Sequence, residues 1–232
     1  MNAVAGGGSF VSFPVLVLVG LPPIAANATS TVALFPGTLA STWAYRDMLR
    51  GVAGIRLVVL LPISLVGGLI GAILLLVTPG GAFDLVVPWL LLLATLTFAG
   101  GPRLGVWLRR YVRIGRTPVL VIQFILSIYG GYFGGAIGLM MMAVWTLLES
   151  VELGKLAATR TLLTSATNGS AVLCFAAAGA VWWPEMLAMM FSCIAGGYFG
   201  ARFARALPPA VLRGFVVTLS TVVTAVFFWR TF

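Results

Sequence analysis

Apolar runs long enough to cross a lipid bilayer constrain this chain more than any other feature. They are Leu57–Val77, Leu85–Ala99, the unusually long Pro118–Leu148, Leu156–Val181, Met186–Ala201 and Phe215–Trp229. A run of about 20 residues spans a hydrocarbon core of roughly 30 Å. Lipid satisfies no backbone N–H or C=O, so only helices and closed barrels survive there, and the short alternating segments of a barrel are absent. The expected fold class is therefore an all-α integral membrane protein. Charged residues make up only 8% of the chain and the mean hydropathy is +1.11, too little charge to coat a water-soluble surface. The net charge of +9 does not point to nucleic acid, because the arginines sit in short clusters between apolar segments, where they orient a membrane protein. Cys174 and Cys193 each lie alone in an apolar segment and read as small core residues, not as a disulfide or metal pair. The chain opens on MNAVAGGGSF with no basic n-region, so insertion is expected to use the spans themselves.

The two halves match each other at an offset of 129 to 130 residues. Ala28-Thr29-Ser30-Thr31 falls on Ala158-Thr159-Arg160-Thr161, and Gly67-Gly68 with Gly71-Ala72 falls on Gly196-Gly197 with Gly200-Ala201. Pro79 falls on Pro208 and Gly8 on Gly138. Four matches in nearly one register imply a duplication.

Two topologies compete. If every run crosses once, Arg46, Arg50, Arg56, Arg103, Arg109, Arg110, Arg113, Arg116 and Arg230 lie on one side, against Lys155, Arg160, Arg202, Arg205 and Arg213 on the other. If Pro118–Leu148 instead enters and returns, bending near Gly130–Gly135, only Arg230 is left on the far side. The positive-inside rule prefers the hairpin. As one helix, that run would be about 46 Å long, too long for an untilted span, and glycines are where a membrane helix can break. Each half is then a hairpin plus three spans, an odd number of crossings, and the second half is inverted relative to the first. The expected organisation is a first membrane repeat over 1–101, a basic loop over 102–117 and a second repeat over 118–232.

The stretches NAVAGGGSFVSFPVLVLVGLPPIAANATSTVALFPG and GGYFGGAIGLMMMAVWTLLESVELGKLAATRTLLTSATN, with the glycine pairs near Gly67 and Gly196, resemble the sulfite exporter TauE/SafE family, also called the four-toluene-sulfonate uptake group of anion permeases. The resemblance spans nearly the whole chain. It implies a multi-pass carrier of the bacterial inner membrane that exports a small anion such as sulfite or an organosulfonate, with no cofactor. Two departures stand out. Relatives carry a further apolar stretch before the NAVAGGG segment, so extra apolar residues ahead of Met1 are expected. In the second hairpin, Gly134-Gly135-Ala136-Ile137 replaces a cleaner glycine run.

Transporters built from inverted repeats bind substrate near the midplane, where broken helices present their ends. A helix N-terminus carries orphan N–H groups and a partial positive charge that suit an anion. The breaks are expected at Gly6-Gly7-Gly8-Ser9 and at Gly134-Gly135. Beside them lie Asn27, Thr29, Ser30 and Thr31 in the first half, with Thr159, Arg160, Thr161, Thr164, Ser165 and Asn168 in the second. Short hydroxyl and amide groups can bond sulfite or sulfonate oxygens without burying a permanent charge. Because the duplication superposes Thr29 on Thr159, these residues with Asn27 and Thr161 are expected to face one shared cavity. The competing reading of glycine and hydroxyl positions is helix packing, with Ser and Thr bonding back to their own helix, and that of Arg160 is an anchor at the cytoplasmic end of its helix. Gln123 reads as packing glue, Met140–Met142 as core filler, and Trp182 and Trp183 as an interfacial belt.

The residues also exclude chemistries. The chain has no histidine, which removes a serine–histidine hydrolase, and no phosphate-cradling GxxxxGK[ST] loop. The five acidic residues Asp47, Asp84, Glu149, Glu152 and Glu185 fall at expected span ends, away from any buried proton relay. The reading is a secondary anion transporter in a lipid bilayer and not an enzyme. Its rival is a non-transporting membrane subunit or assembly factor.

Overall fold

A computed structural model describes residues 8–52, 54–108, 116–148, 153–204 and 209–232. Its described residues form nine α-helices: α1 (Ser9–Leu18), α2 (Pro23–Ala44), α3 (Leu57–Val77), α4 (Gly80–Leu108), α5 (Arg116–Tyr132), α6 (Ile137–Leu148), α7 (Leu153–Ala177), α8 (Trp183–Ala204) and α9 (Pro209–Thr231). A short 3-10 turn, Arg46–Met48, follows α2. The stretch from Pro118 to Leu148 is indeed two helices. α4 continues to Leu108, into the stretch read as a basic loop.

Local sequence sets the helix ends. After α1, Gly20 adopts φ +103°, and the N–H groups of Gly20 and Leu21 donate to the carbonyls of Val17 and Leu16. After α7, Gly179 at φ +67° closes the same way, with Ala180 donating to the carbonyl of Phe175. Both are left-handed caps that glycine adopts without a Cβ penalty. Pro23 then opens α2, where its missing N–H costs no hydrogen bond.

The molecule is apolar outside and sets its buried polar side chains within an apolar core. Leu18, Val58, Leu173 and Trp229 are 72%, 72%, 73% and 89% exposed, whereas Thr29, Ser64, Ser127, Thr159 and Thr167 are fully buried. A water-soluble monomer rarely exposes so much contiguous apolar surface; lipid tails are the solvent that fits it. Leu57–Val77 and Gly80–Thr97 are by themselves long and apolar enough to span a bilayer. The protein is an all-helical membrane protein.

Packing centres on α3, which lies against α5 and α7. A Cβ on Gly67 would come within 2.6 Å of the Ser127 Cβ, and one on Gly68 within 2.5 Å of the Ser170 hydroxyl oxygen. A Cβ on Gly131 would fall on the Gly68 carbonyl. These backbones touch because no side chain intervenes, the small-residue packing on which membrane helices rely. Gln123 sits in the same seam, donating to Ser64 Oγ at 3.0 Å. α2 packs on α7 and α8, and α4 packs on α6 and α9.

The α5–α6 pair folds back on itself. Gln123 Nε2 lies 3.9 Å from Met141 Sδ, and Val119 shares one buried cluster with Ile137, Met141 and Trp145, so the outer ends of both helices meet at one end of the molecule. Gly134 (φ +73°) and Ala136 (φ +59°) make the bend.

Candidate functional site

Two helix faces converge beside that bend. On α2, Thr31, Leu34, Thr38 and Ser41 recur at a helical spacing that puts them on one stripe. On α7, Arg160, Thr161, Thr164 and Asn168 do the same. Among the described residues, these line a single cavity of about 50 Å³ together with Ser9, Gly37, Gly134, Ile137 and Gly138. By the same measure one water needs roughly 10–15 Å³, so the space admits a group of a few heavy atoms. The floor is deep: Thr31 and Asn168 are each 8% exposed. The mouth opens at Gly37, which is exposed, and at half-buried Ser41. Three pairs of lining residues, Thr31 and Thr161, Leu34 and Thr164, Thr38 and Asn168, stand at the 130-residue offset of the sequence repeat.

The cavity is electropositive by construction. Ser9 is the first residue of α1 and Ile137 the first of α6, so two helix N-termini, with the partial positive charge of their first turns, reach it. Arg160 supplies a full charge, and no acidic residue is among the described lining residues. Among the described residues no ion pair neutralises Arg160; the one salt bridge there joins Arg46 and Asp47. A Cβ on Gly138 would stand 3.3 Å from Arg160 Cδ, so the glycine leaves room for the arginine stem.

The hydroxyls are less free than their number suggests. Thr31 donates to the Asn27 carbonyl at 2.9 Å, Thr38 to the Phe35 carbonyl at 2.8 Å and Ser41 to the Gly37 carbonyl at 2.9 Å. Their protons are held by their own helix, and what they turn to the cavity is oxygen lone pairs. Asn168 differs, because its Oδ1 is buried with no hydrogen-bond partner among the described residues.

Of the residues read from sequence beside the breaks, the structure brings Ser9, Thr31, Gly134, Arg160, Thr161, Thr164 and Asn168 to this cavity. Gly6 and Gly7 lie outside the described residues. Gly8 caps α1, its carbonyl accepting from the Val11 and Ser12 N–H groups. The structure does not bring Asn27, Thr29, Ser30, Gly135, Thr159 or Ser165 to the lining. Asn27 is buried and donates to the carbonyl of Tyr132, the last residue of α5, at 2.9 Å. Thr29 accepts from the Trp182 N–H at 3.1 Å. Thr159 donates to the Arg50 carbonyl at 2.6 Å and accepts from its N–H at 3.2 Å. Ser30 pairs with Ser12 at 2.5 Å, and Ser165 with Thr42 at 2.8 Å. Gly135 lies beneath the Phe133 ring. Leu34, Gly37, Thr38, Ser41, Ile137 and Gly138 line the cavity and were not read as site residues; the spacing of Thr31, Leu34, Thr38 and Ser41 on one helix face was the signal that would have found four residues of the α2 wall.

Phe13 packs edge-on against Phe133 with ring centroids 5.8 Å apart and stacks on Phe227 at 5.5 Å, and Phe10, Phe13 and Phe133 are all buried.

The comparisons with known proteins agree with this architecture. The family model for "Sulfite exporter TauE/SafE" matches residues 1–227. A "Probable membrane transporter protein" of Haemophilus influenzae is 27% identical over 230 residues, covering 97% of this chain and 88% of that protein. The "Probable membrane transporter protein ORF9" of a Sinorhizobium species is 27% identical, covering 95% and 84%. "Probable membrane transporter protein YfcA" of Escherichia coli K12 is 25% identical, covering 97% and 83%. No solved structure matches the chain.

Proposed function

The chain belongs to the sulfite exporter TauE/SafE family, and on that premise we propose that it is a multi-pass secondary transporter moving a small anion, sulfite or an organosulfonate, out across the bacterial inner membrane. The observation that carries this reading is Arg160, a cation with no acidic partner among the described residues, on the wall of a cavity that two helix N-termini also reach. An unpaired charge within a membrane protein is costly and marks function by default. A bound anion supplies the missing charge, and preorganised N–H dipoles hold it with little reorganisation. Export agrees with an inside-negative potential, which drives an anion outward with about 2.3 kcal/mol per charge per 100 mV.

The proposed frame is the inverted repeat. Thr29 of the first half grips Trp182 of the second, and its repeat mate Thr159 grips Arg50 of the first. Thr95 and Thr224, 129 residues apart, bond to each other at 3.1 Å. Reciprocal contacts between equivalent residues are what a pseudo-two-fold axis generates. In this frame the cavity opens toward the basic, cytoplasmic end, and the Phe13–Phe133–Phe227 cluster closes the other; release outward requires those rings to separate. A non-transporting subunit is the less favoured reading, since it gives no reason for Arg160, the hydroxyl stripes and the α6 N-terminus to meet at one cavity.

Efflux of sulfite and of a small organosulfonate from proteoliposomes tests the proposal. Arg160→Gln keeps an N–H donor on a shorter stem and removes the charge. A hydrogen bond to a charged group is worth about 1.5–3 kcal/mol, so transport should fall roughly 10- to 150-fold while the thermal midpoint moves little. Undiminished efflux in a folded Arg160→Gln protein would refute the role given to this cavity.

A further inference from the structure

The two walls of the cavity run toward one stretch of chain. On α2 the lining ends at Ser41, and Arg46 follows five residues later, about 8 Å further at a helical rise. On α7 the lining ends at Arg160. Its neighbour Thr159 holds both backbone polar groups of Arg50, donating to the carbonyl at 2.6 Å and accepting from the N–H at 3.2 Å. Apolar contacts fix the same connection between α2 and α3. Val52 and Ile55 bond to each other through their backbones at 3.0 and 2.8 Å, and both are buried in one cluster with Ile137, Met141 and Trp145 of α6 and Leu163 of α7. A connection so anchored holds its side chains at the mouth of the cavity.

Its three arginines differ in what they are committed to. Arg46 donates to the Trp43 carbonyl at 3.2 Å, lies over the Trp43 ring at 4.6 Å and pairs with Asp47 at 3.8 Å. Arg50 and Arg56 are exposed, and no carboxylate among the described residues pairs with either. Local stability does not ask for Arg56, which sits just ahead of the first residue of α3, at the positive end of the helix dipole where a cation is unfavourable. Orienting the chain in the membrane asks for positive charge on this side, but not for its attachment to the residue beside Arg160.

Resting on the reading of this cavity as an anion site, we propose that Arg50 and Arg56 form a capture site at its mouth, which concentrates small oxyanions by charge and passes them to Arg160. Charges about one screening length apart, roughly 10 Å at 0.1 M salt, still act on each other, and a cleft with apolar walls focuses such a field.

Calorimetry of sulfite binding to the full chain in phosphatidylcholine nanodiscs, whose lipid carries no net charge, tests this. A unit charge about 10 Å away changes an anion's affinity about twofold in water-like surroundings. Arg50→Gln combined with Arg56→Gln should therefore raise the dissociation constant about threefold at roughly 10 mM ionic strength, and hardly at all at roughly 1 M, where the screening length is about 3 Å. Arg50→Lys combined with Arg56→Lys keeps the charge and should bind like the unmodified protein. Arg230→Gln removes a charge from the far side and should change nothing at either salt. Both side chains are exposed and the Thr159 bonds engage only the backbone of Arg50, so the variants should fold. Equal affinity of the double glutamine variant and the unmodified protein at low salt overturns the capture site, while Arg160→Gln, weaker at both salts, would keep the cavity as the anion site. A loss of the same size at both salts, or a lysine variant as weak as the glutamine one, also overturns it, because shape and not charge would then be responsible. If the unmodified protein binds no sulfite at either salt, the anion reading falls and this inference with it.

Discussion

Thr29 and Thr159 illustrate how much a side chain's role depends on what faces it. Both are fully buried and stand 130 residues apart in the sequence, yet Thr29 makes one bond to a backbone amide while Thr159 makes two, to both polar groups of Arg50. Valine keeps the shape of threonine and removes those bonds. With about 0.5–1.5 kcal/mol per bond and two backbone groups left unpaired, Thr159→Val should destabilise the protein by about 2 kcal/mol and Thr29→Val by about 1 kcal/mol. Thermal unfolding of the two variants in one detergent measures the difference. A larger loss for Thr29→Val would contradict the bonding described here. Asn27 belongs with them: it holds the carbonyl of Tyr132 where α5 ends, one of the last-turn acceptors a helix cannot satisfy by itself.

Helices in this protein meet through glycine, and the contacts are directional. α3 offers Gly67, Gly68 and Gly71 to its neighbours, and a Cβ on Gly131 of α5 would land on the Gly68 carbonyl. A methyl group there forces two backbones apart, so Gly131→Ala should cost about 1–3 kcal/mol, the usual range for overpacking. Gly196, 129 residues after Gly67, has nothing among the described residues within 4 Å of an added Cβ, and Gly196→Ala should be neutral or slightly stabilising, as alanine favours the helix. Comparable thermal midpoints for the two variants would show that the α3–α5 contact is looser than drawn. The α5–α6 element was legible in the sequence through its length and the charge imbalance of a straight crossing. Its bend, expected near Gly130–Gly135, falls at Gly134 and Ala136; a Cβ on Gly130 would strike Ile137 Cδ1, and Gly130 stays helical as the seat of that side chain.

At the scale of the whole molecule, the proposed topology fixes which loops share a side of the membrane. Single cysteines at Asp47 and Thr117, in a background with Cys174 and Cys193 changed to alanine, should react with an impermeant maleimide from the cytoplasmic side, and a cysteine at Thr78 from the opposite side. Asp47 and Thr117 are exposed, so reactivity reports sidedness. Labelling of Asp47→Cys and Thr117→Cys from opposite faces would break the inverted-repeat proposal and the direction assigned to the cavity mouth with it.

The sequence by itself determined the solvent, the class and most of the helices. α3 spans Leu57–Val77, the same residues as its apolar run, because hydropathy is a local property and lipid enforces it residue by residue. α2 was less plain, since Asn27, Thr29, Ser30, Thr31, Thr38, Ser41 and Thr42 interrupt its apolar character; those residues lower its hydropathy because they face protein and not lipid. The glycine bend was legible too, and Arg160 and Asn168, singled out from spacing and residue type, are among the residues that line the cavity. What only the tertiary structure decided is which polar groups are committed elsewhere. Thr159 meets Arg50 across 109 residues and Thr29 meets Trp182 across 153, and a hydroxyl's own composition does not reveal whether its partner is its helix, a distant loop or a cavity. Hydrogen-bond commitment is set by contacts between the halves, and it separates the threonines that hold this protein together from those that line its cavity.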